Sequence, residues 1–501
     1  MQNRTLLAAI DLGSNSFRLE IGRYDDGQIH RTEYLKETVR QGNGLDAARN
    51  LTPEAMQRGW DCLARFGERL AGFRKAQVRA VATQTLREAR NRDEFLARAN
   101  KVLGFPIDVI SGREEARLIY QGVARLLPQS DERRLVVDIG GRSTELILGR
   151  RFDAKVVESL RVGSVAWSMK YFPRGEFTPQ AFRQAEVAAQ AVIEEAAAAY
   201  GSNTWDVAYG SSGTIGAVGD ALAAAGRGDG KCITRAGLDW LLEHLLAARS
   251  ADRVRLEGLK DDRRAVIGGG VSILRAVFDQ LGIDEMQAAE GALRHGVLYD
   301  LLDRDQGNGD IRSATVQRLA DKFGADAAQA QRVGRAASLL LAQLRSSDDP
   351  PAELARQARK LAWAAQLHEI GSRISHSDYH KHGAYILDNA DAPGFAQSEL
   401  HRLSLLVLGH RGKLRKLEAD FEDTPFVQQL LCLRLAVILC HARREPDLDG
   451  MQLQASGGRF TLTLRPGWAA GHPQSLHLLR EETLAWQKTP CSLQLNGDNR
   501  P

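Results

Sequence analysis

The sequence predicts an α/β fold of two repeated halves, followed by an all-helical domain and a small α+β unit. Three observations carry this reading. A strand–turn–strand segment occurs twice in register, short apolar runs alternate with helical stretches as far as residue 302, and amphipathic helices take over after residue 310.

Taken in chain order, β-rich runs at Leu6–Ile10, Val78–Val81, Ile107–Ile110, Leu135–Val137 and Asp206–Tyr209 alternate with helical stretches between Thr5 and Leu302. That alternation predicts layered α/β halves at residues 1–125 and 126–302. The stretch Asp303–Asp310, rich in Asn, Gly and Asp, interrupts the pattern. From Ile311 to about Arg444 the chain reads as successive amphipathic helices, an all-α domain at 311–444. Beyond Glu445, alternating runs at Met451–Gln454, Arg459–Leu464 and Ser492–Leu495 flank a helical segment near Leu478–Gln487, which predicts a small α+β unit at 445–501. The alanine-rich stretches Ala185–Tyr200 and Ala217–Ala225 are ordinary helix formers.

A chain of 501 residues, 43% of them hydrophobic, has enough apolar side chains for several cores. Its formal net charge of +4 lacks the basic excess of a general nucleic-acid binder, so a bound anion has to be held by local clusters. The five cysteines, Cys62, Cys232, Cys432, Cys440 and Cys491, show no C-x-x-C spacing, which argues against a disulfide framework and a zinc site. A reducing cytoplasm is the expected compartment, with peripheral membrane association left open. No cleavable leader is read at the N-terminus, and no apolar run reaches the about 20 residues of a membrane span.

The repeat is the strongest signal. AIDLGSNSFRLEIG (Ala9–Gly22) and VVDIGGRSTELILG (Val136–Gly149) align without a gap, placing Asp11 on Asp138, Gly13 on Gly140, Ser16 on Ser143, Leu19 on Leu146 and Gly22 on Gly149. Each copy reads as an apolar strand, a tight Gly/Ser turn and a second strand. Backbone N–H groups at such a turn converge on an anion, and phosphate oxygens suit them. Glycine there permits φ > 0 and a close backbone approach to the ligand. The phosphate-binding candidates are therefore Asp11, Gly13, Ser14, Asn15 and Ser16 in the first turn, and Asp138, Gly140, Gly141, Arg142 and Ser143 in the second. A single copy also fits an ordinary hairpin ending in a solvated aspartate; two copies in register favour a shared ligand.

Paired hairpins in a duplicated α/β domain resemble the actin-like (ribonuclease H-like) fold of actin, sugar kinases and heat-shock ATPases, which implies an architecture but no particular reaction. Between the hairpins stand VATQTLREARN (Val81–Asn91) and ISGREEARLIYQGV (Ile110–Val123). Beyond them come SSGT (Ser211–Thr214), DDRRAVIGGGVSIL (Asp261–Leu274) and EGALRHGVLYD (Glu290–Asp300). With the hairpins, these motifs resemble the exopolyphosphatase / guanosine pentaphosphate phosphohydrolase family over essentially the whole chain. The segment HEIGSRISHSDYHKHGAYILDNADAPGF (His368–Phe395) looks more like the exopolyphosphatase branch.

Hydrolysis of a terminal phosphoryl group needs an aligned water, a carboxylate to orient or deprotonate it, and cations to absorb charge on the equatorial oxygens. Glu114 and Glu115 open a predicted helix just after the Ser111-Gly112 turn. The family resemblance puts the catalytic base on Glu115; a helix N-terminus favours glutamate for its own reasons, which suffices for Glu114. The same resemblance places Arg87 against the phosphate chain, where a planar guanidinium makes bidentate contacts. Magnesium or another divalent cation is expected to bridge phosphate oxygens, with Asp138, Glu145 and Asp11 as candidate ligands, directly or through water.

The family's second hairpin usually carries glycine where this chain has Arg142, so a bulky residue occupies a turn that is expected to want φ > 0. Arg142 either contacts phosphate or points into solvent. Ser212, Gly213 and Thr214 follow a strand and start a helix, and Gly268–Gly270 precede another; they receive guanosine, further phosphates or nothing. Arg18, Arg263 and Arg264 are lesser candidates for the anion.

In the helical domain, His368-Glu369 stands where the related metal-dependent HD phosphohydrolases carry a His-Asp pair, and Val437 where their later aspartate is expected. An HD-like domain without a working metal site is the expectation. His376, His380 and His382 lack a convincing fourth zinc ligand. With Arg373, Lys381, Arg411, Lys413, Arg415 and Lys416 they read either as a track for a long polyanion or as a solvated charged surface. Cys432 and Cys440, two helical turns apart, read as core.

The expected activity is magnesium-dependent release of orthophosphate from inorganic polyphosphate, processive if the helical domain holds the chain. Hydrolysis of guanosine pentaphosphate to the tetraphosphate is the alternative at the same site. Phosphoryl transfer from ATP to a small acceptor, or a non-catalytic alarmone or polyphosphate sensor, stand further off. The resemblance suggests a homodimer; nucleic-acid binding and membrane insertion are not expected.

Overall fold

The computed structural model describes residues 4–25, 27–305, 310–344, 350–414, 417 and 421–497. Two compact units divide at Asp310/Ile311.

The first unit starts with three antiparallel strands, β1 (Leu6–Leu12), β2 (Phe17–Asp25) and β3 (Gln28–Glu37), then α1 (Pro53–Arg69), β4 (Val78–Ala82), α2 (Gln84–Glu88), α3 (Arg92–Leu103), β5 (Ile107–Val109) and α4 (Gly112–Leu126). The pattern then restarts with β6 (Arg133–Ile139), β7 (Thr144–Arg150) and β8 (Asp153–Leu160), also antiparallel. There follow α5 (Ser164–Tyr171), α6 (Pro179–Ala197), β9 (Val207–Ser211), α7 (Gly213–Ala224), β10 (Cys232–Thr234), α8 (Arg235–Ala248), the single turn α9 (Asp261–Arg264), α10 (Ile267–Leu281), β11 (Glu285–Ala288) and α11 (Leu293–Asp305).

The sheets run β3-β2-β1-β4-β5 and β10-β11-β9-β6-β7-β8. In each, a crossover lays a strand parallel to the first strand of the meander, β4 beside β1 and β9 beside β6. The sequence repeat is thus a repeat of topology. Central strands β1 and β6 are covered on both faces, which is why both read as continuous apolar runs instead of alternating ones. Their carboxyl ends, next to parallel strands, are where open α/β sheets leave a crevice for ligands. Asp11 and Asp138 sit there.

Helices α4 and α11 hold the halves together. Ala116, Ile119, Tyr120 and Val123 of α4 and Val297 and Leu298 of α11 form one buried cluster with Leu7 and Ala9 of β1, Val136 of β6 and Ile147 of β7. The two helices approach so closely that a Cβ on Gly122 or Gly296 would run into the backbone of the other helix. Although α11 ends the second half in sequence, it packs on β1 and β4 as well, so a helix from the end of the unit completes its first half.

In the second unit, α12 (Ile311–Lys322), α13 (Ala327–Gln343), α14 (Pro351–Leu367), α15 (Tyr379–Asn389), α16 (Gln397–Gly409) and α17 (Thr424–Leu439) precede β12 (Gln452–Ser456), β13 (Arg459–Thr463), α18 (Trp468–Gly471), α19 (Pro473–Trp486) and β14 (Ser492–Asn496). The terminal sheet shares the core of the helices: Trp486 packs edge-on against Phe421 and Phe460 at ring separations of 5.9 and 6.0 Å. A buried pair reinforces the join, Arg434 donating to Glu482 through Nε (2.5 Å) and Nη2 (2.7 Å). Cys432 and Cys440 are buried in this core and unpaired. Among the described residues no helix is long and apolar enough to cross a membrane.

Candidate active site

Both hairpin turns open onto one cavity of about 400 Å³ in the first unit. Asp11, Gly13, Ser14, Asn15 and Ser16 line it from the first turn; Asp138, Gly140, Gly141 and Ser143 line it from the second. Glu115 and the Ser212, Gly213 and Thr214 segment also reach it. Most of the phosphate-binding candidates therefore converge, as do Arg18 and Arg263.

The turn glycines are needed for proximity, not for φ. Gly13, Gly140, Gly141 and Arg142 all have ordinary negative-side backbone conformations, contrary to the expectation of φ > 0. A Cβ on Gly13 or Gly140 would sit 3.0 Å from the carbonyl oxygen of Ser16 or Ser143, inside normal contact. Arg142 consequently takes its place in the turn without strain. Its part-exposed guanidinium is not among the groups lining the cavity: Nη1 donates to the Gly42 carbonyl (3.2 Å) and Nη2 to Glu88 (3.0 Å), tying the second turn to the first half. The residue that does carry strain is Ser212, at φ 99° and ψ 164°. This region is nearly restricted to glycine and costs about 1–3 kcal/mol elsewhere. Ser212 holds it while its Oγ accepts from the N–H groups of Thr214 (3.2 Å) and Ile215 (3.4 Å), capping α7.

Donors for an anion are present. Asn15 Nδ2 and Ser16 Oγ are buried and, among the described residues, have no hydrogen-bond partner. Such groups demand a ligand or water. Arg18, Lys36 and Arg263 add charge: burial and the neighbouring Arg263 push the Lys36 ammonium down, and burial with Arg18 does the same to Arg263. Arg18 is paired with Asp11 and Lys36 with Asp262 (2.9 and 3.2 Å), and Arg263 brings a third cation to the same cavity, a charge distribution that favours an anionic guest. Arg264 is outside this set, paired with Asp261 at 2.8 Å.

Glu115 sits in the first turn of α4, which is N-capped by Ser111 Oγ accepting from Glu114 N (3.1 Å). Burial raises its pKa, with Asp11 and Asp138 adding to the effect and Arg87 opposing it. A carboxylate shifted upward in this way is a stronger base than an ordinary glutamate. Arg87 stands directly beside Glu115, next to the residues that line the cavity. Its Nη1 donates to Glu115 Oε2 (2.7 Å) and the Ile110 carbonyl (2.9 Å), while Nε and Nη2 donate to Gln84 Oε1 (3.0 and 2.6 Å). It positions the carboxylate.

The neighbouring Glu114 is fully buried and has a specific structural task beyond helix dipole stabilisation. Arg117 grips it twice at 2.8 Å and also reaches Asp300 of α11 (2.6 Å), and Arg79 pairs with Asp300. This network clamps the start of α4 to α11.

Asp138 is pushed up to about 6, mainly by burial, with Asp11 contributing and a hydrogen bond to Ser211 opposing. Glu145, its ladder partner, is likewise held well above the usual carboxylate range by burial, with Glu115 and Asp138 adding to the effect. Its Oε1 accepts from Ser159 Oγ (2.8 Å), and its buried Oε2 has no partner among the described residues. Asp11 differs in having a counter-ion, Arg18 Nη1 at 2.9 Å. Among the described residues no group of three His, Cys, Asp or Glu side chains is close enough to cage a metal ion. Magnesium ordinarily takes one or two carboxylates plus waters and substrate phosphates; Asp138, which lines the cavity, fits that demand, and the unpartnered Oε2 of Glu145 lies buried outside the lining.

The surface expected to track a polyanion is split. Arg373, His376, Lys381, Arg411 and Lys413 are exposed, whereas His382 is half-buried and His380 is buried. His380 packs with Tyr379 and His410 instead of facing solvent; His410 stands 6.3 Å from His380 and 5.3 Å from His368, centre to centre. Arg415 and Lys416 lie outside the described residues.

The Ppx/GppA phosphatase family matches residues 21–305, and its domain III matches residues 311–483. The chain belongs to this family. Among curated relatives, the guanosine-5'-triphosphate,3'-diphosphate pyrophosphatase of Vibrio cholerae is 39% identical over 500 residues, covering 98% of either chain. The protein of the same description from Aeromonas hydrophila is 38% identical over 494 residues, covering 97% of this chain and 98% of its own. Among solved structures, the Aquifex aeolicus PPX-GPPA enzyme aligns with a TM-score of 0.50 at 25% identity, over 59% of this chain and 98% of that one.

Several lining residues escaped the sequence reading, notably Lys36, Tyr34 and Arg294. Lys36 lies across the β2–β3 ladder from Arg18, a neighbour that only the strand register shows. Arg294 stands within the quoted Glu290–Asp300 motif and pairs with Glu20 at 2.8 Å.

Proposed function

We propose that this protein hydrolyses the terminal phosphoanhydride of guanosine pentaphosphate, releasing orthophosphate and guanosine tetraphosphate. The observation that carries the proposal is Glu115, a buried carboxyl of raised pKa held by Arg87 on the wall of a cavity formed by two phosphate-binding turns. The relatives' description favours the nucleotide over the inorganic polyphosphate that the His368–Phe395 segment suggested.

In this reading the turn N–H groups, Asn15 Nδ2 and Ser16 Oγ bind phosphate oxygens, and Arg18, Lys36 and Arg263 neutralise the chain. Glu115 orients a water for in-line attack and takes its proton, its basicity raised by burial. Asp138 would hold magnesium, which supplies charge neutralisation at the phosphate oxygens when bound. The repeated hairpin topology supports an actin-like assignment for the first unit, and the helical second unit is proposed to be HD-like.

Inorganic polyphosphate is the second reading, favoured by the exposed cations Arg373, Lys381, Arg411 and Lys413. Orthophosphate release from guanosine pentaphosphate and from long polyphosphate, measured side by side at equal phosphate concentration, separates the two. The expected result is a higher kcat/KM for the nucleotide; turnover confined to polyphosphate would reverse the assignment.

A further inference from the structure

The cavity has a wall that phosphate hydrolysis alone does not require. α7 runs along it, and besides Thr214 in its first turn the residues it presents, Gly213, Gly216, Ala217 and Asp220, fall at i, i+3, i+4 and i+7, one face of a helix. Above Gly216 there is open space: a Cβ built there would meet nothing within 4 Å. Beyond Thr214 the wall therefore carries only Gly216 and Ala217 before it ends in a carboxylate. At 1.5 Å per residue, Asp220 lies about 10 Å along the axis from Gly213, comparable to the reach from the phosphates of a nucleotide to its base. The Arg263 guanidinium lies over Gly213 and marks the phosphate end. At the other end Gly258, at φ 83°, closes on the backbone of Asp220, where any side chain would collide. The Asp220 carboxylate is exposed, and among the described residues no hydrogen bond or ion pair engages it.

We propose that this slot takes the purine base of the nucleotide and that Asp220 selects guanine. The inference rests on the nucleotide reading given above. Guanine offers two adjacent donors on one edge, N1–H and the exocyclic amino group, which match the two oxygens of a carboxylate. Adenine presents an unprotonated ring nitrogen at the N1 position, which repels the same oxygens. Hypoxanthine keeps N1–H and loses the amino group. A site whose polar group is built to meet donors rejects a base that lacks them. Inorganic polyphosphate has nothing to place in the slot.

The test uses the full-length protein and its Asp220→Asn and Asp220→Ala variants, with guanosine pentaphosphate, its adenosine and inosine counterparts, and polyphosphate of fixed length. The ratio of kcat/KM for guanosine pentaphosphate to that for polyphosphate is expected to fall at least about ten-fold in both variants, carried by KM. Wild type is expected to prefer guanosine over adenosine by at least about ten-fold, with inosine between them. That second comparison needs no variant and stands even if a substitution disturbs folding. An unchanged substrate ratio in both variants, or equal turnover of the guanosine and adenosine substrates by wild type, overturns the role of Asp220. Either result leaves the nucleotide reading intact provided guanosine pentaphosphate is still hydrolysed faster than polyphosphate. Hydrolysis of polyphosphate alone overturns both.

Discussion

Across the first hairpin Asp11 faces Arg18, and across the second Asp138 faces Glu145, at equivalent positions of a repeat that is otherwise matched in strands, turn and register. One substitution of charge at one ladder position gives the two copies opposite properties. The first hairpin neutralises its own carboxylate through a 2.9 Å ion pair. The second buries two carboxyls, both pushed upward by desolvation, against Glu115 from α4. A duplicated phosphate turn has thus been divided into a self-compensated grip and an under-compensated site that calls for a cation or a proton. Buried charge of this kind is costly to the fold and useful to the chemistry.

The largest effect should come from Glu115→Gln, which keeps the shape and removes the base. A fall in kcat of about 10³-fold is expected with nucleotide binding retained, read by phosphate release and equilibrium binding. Near-normal turnover would move the chemistry elsewhere. Arg87→Ala should lower kcat about 10²-fold with KM little changed, because Arg87 holds Glu115 and is not among the groups lining the cavity. A rise in KM with kcat preserved would instead put Arg87 on the phosphate chain. Asp11→Asn strips Arg18 of its partner and should destabilise the ligand-free protein by about 2 kcal/mol in denaturant unfolding. The smallest effect belongs to Arg142→Gly, which removes a part-exposed link to Glu88 and the Gly42 carbonyl. Less than about 1 kcal/mol of stability and no change in KM are expected. A large increase in KM would show that Arg142 meets substrate after all.

Much of this arrangement was legible in the sequence because the hairpins announce themselves: β1 and β6 are buried on both faces, and their turns need small residues that fit under neighbouring carbonyls. The edge strands β3 and β8 were not legible. Their residues are mostly exposed or half-buried, so no apolar alternation marks them, and with β3 went Lys36. Register and long-range pairing account for the other gaps. Glu114 resembles any helix-opening glutamate until Arg79 and Asp300 are brought to it from 35 and 186 residues away. Arg142 was read against a backbone requirement that the turn does not have. The resemblance puts Arg87 at the substrate, and only the fold shows that four of its five N–H donors go to Glu115, Gln84 and the Ile110 carbonyl.

The division of labour between the hairpins is tested most directly by the pH dependence of unfolding free energy for ligand-free wild type and Asp138→Asn. Asp138 has a folded pKa of about 6, above the ordinary carboxylate value, so its protonated form favours the folded state. That contribution is fully present below about pH 4 and lost as pH rises through 6. Wild type should therefore lose about 2–3 kcal/mol relative to Asp138→Asn between pH 4 and pH 8, leaving the variant the more stable protein at neutrality. Parallel curves, or a variant less stable than wild type at pH 8, would contradict the claim that the second hairpin carries uncompensated charge.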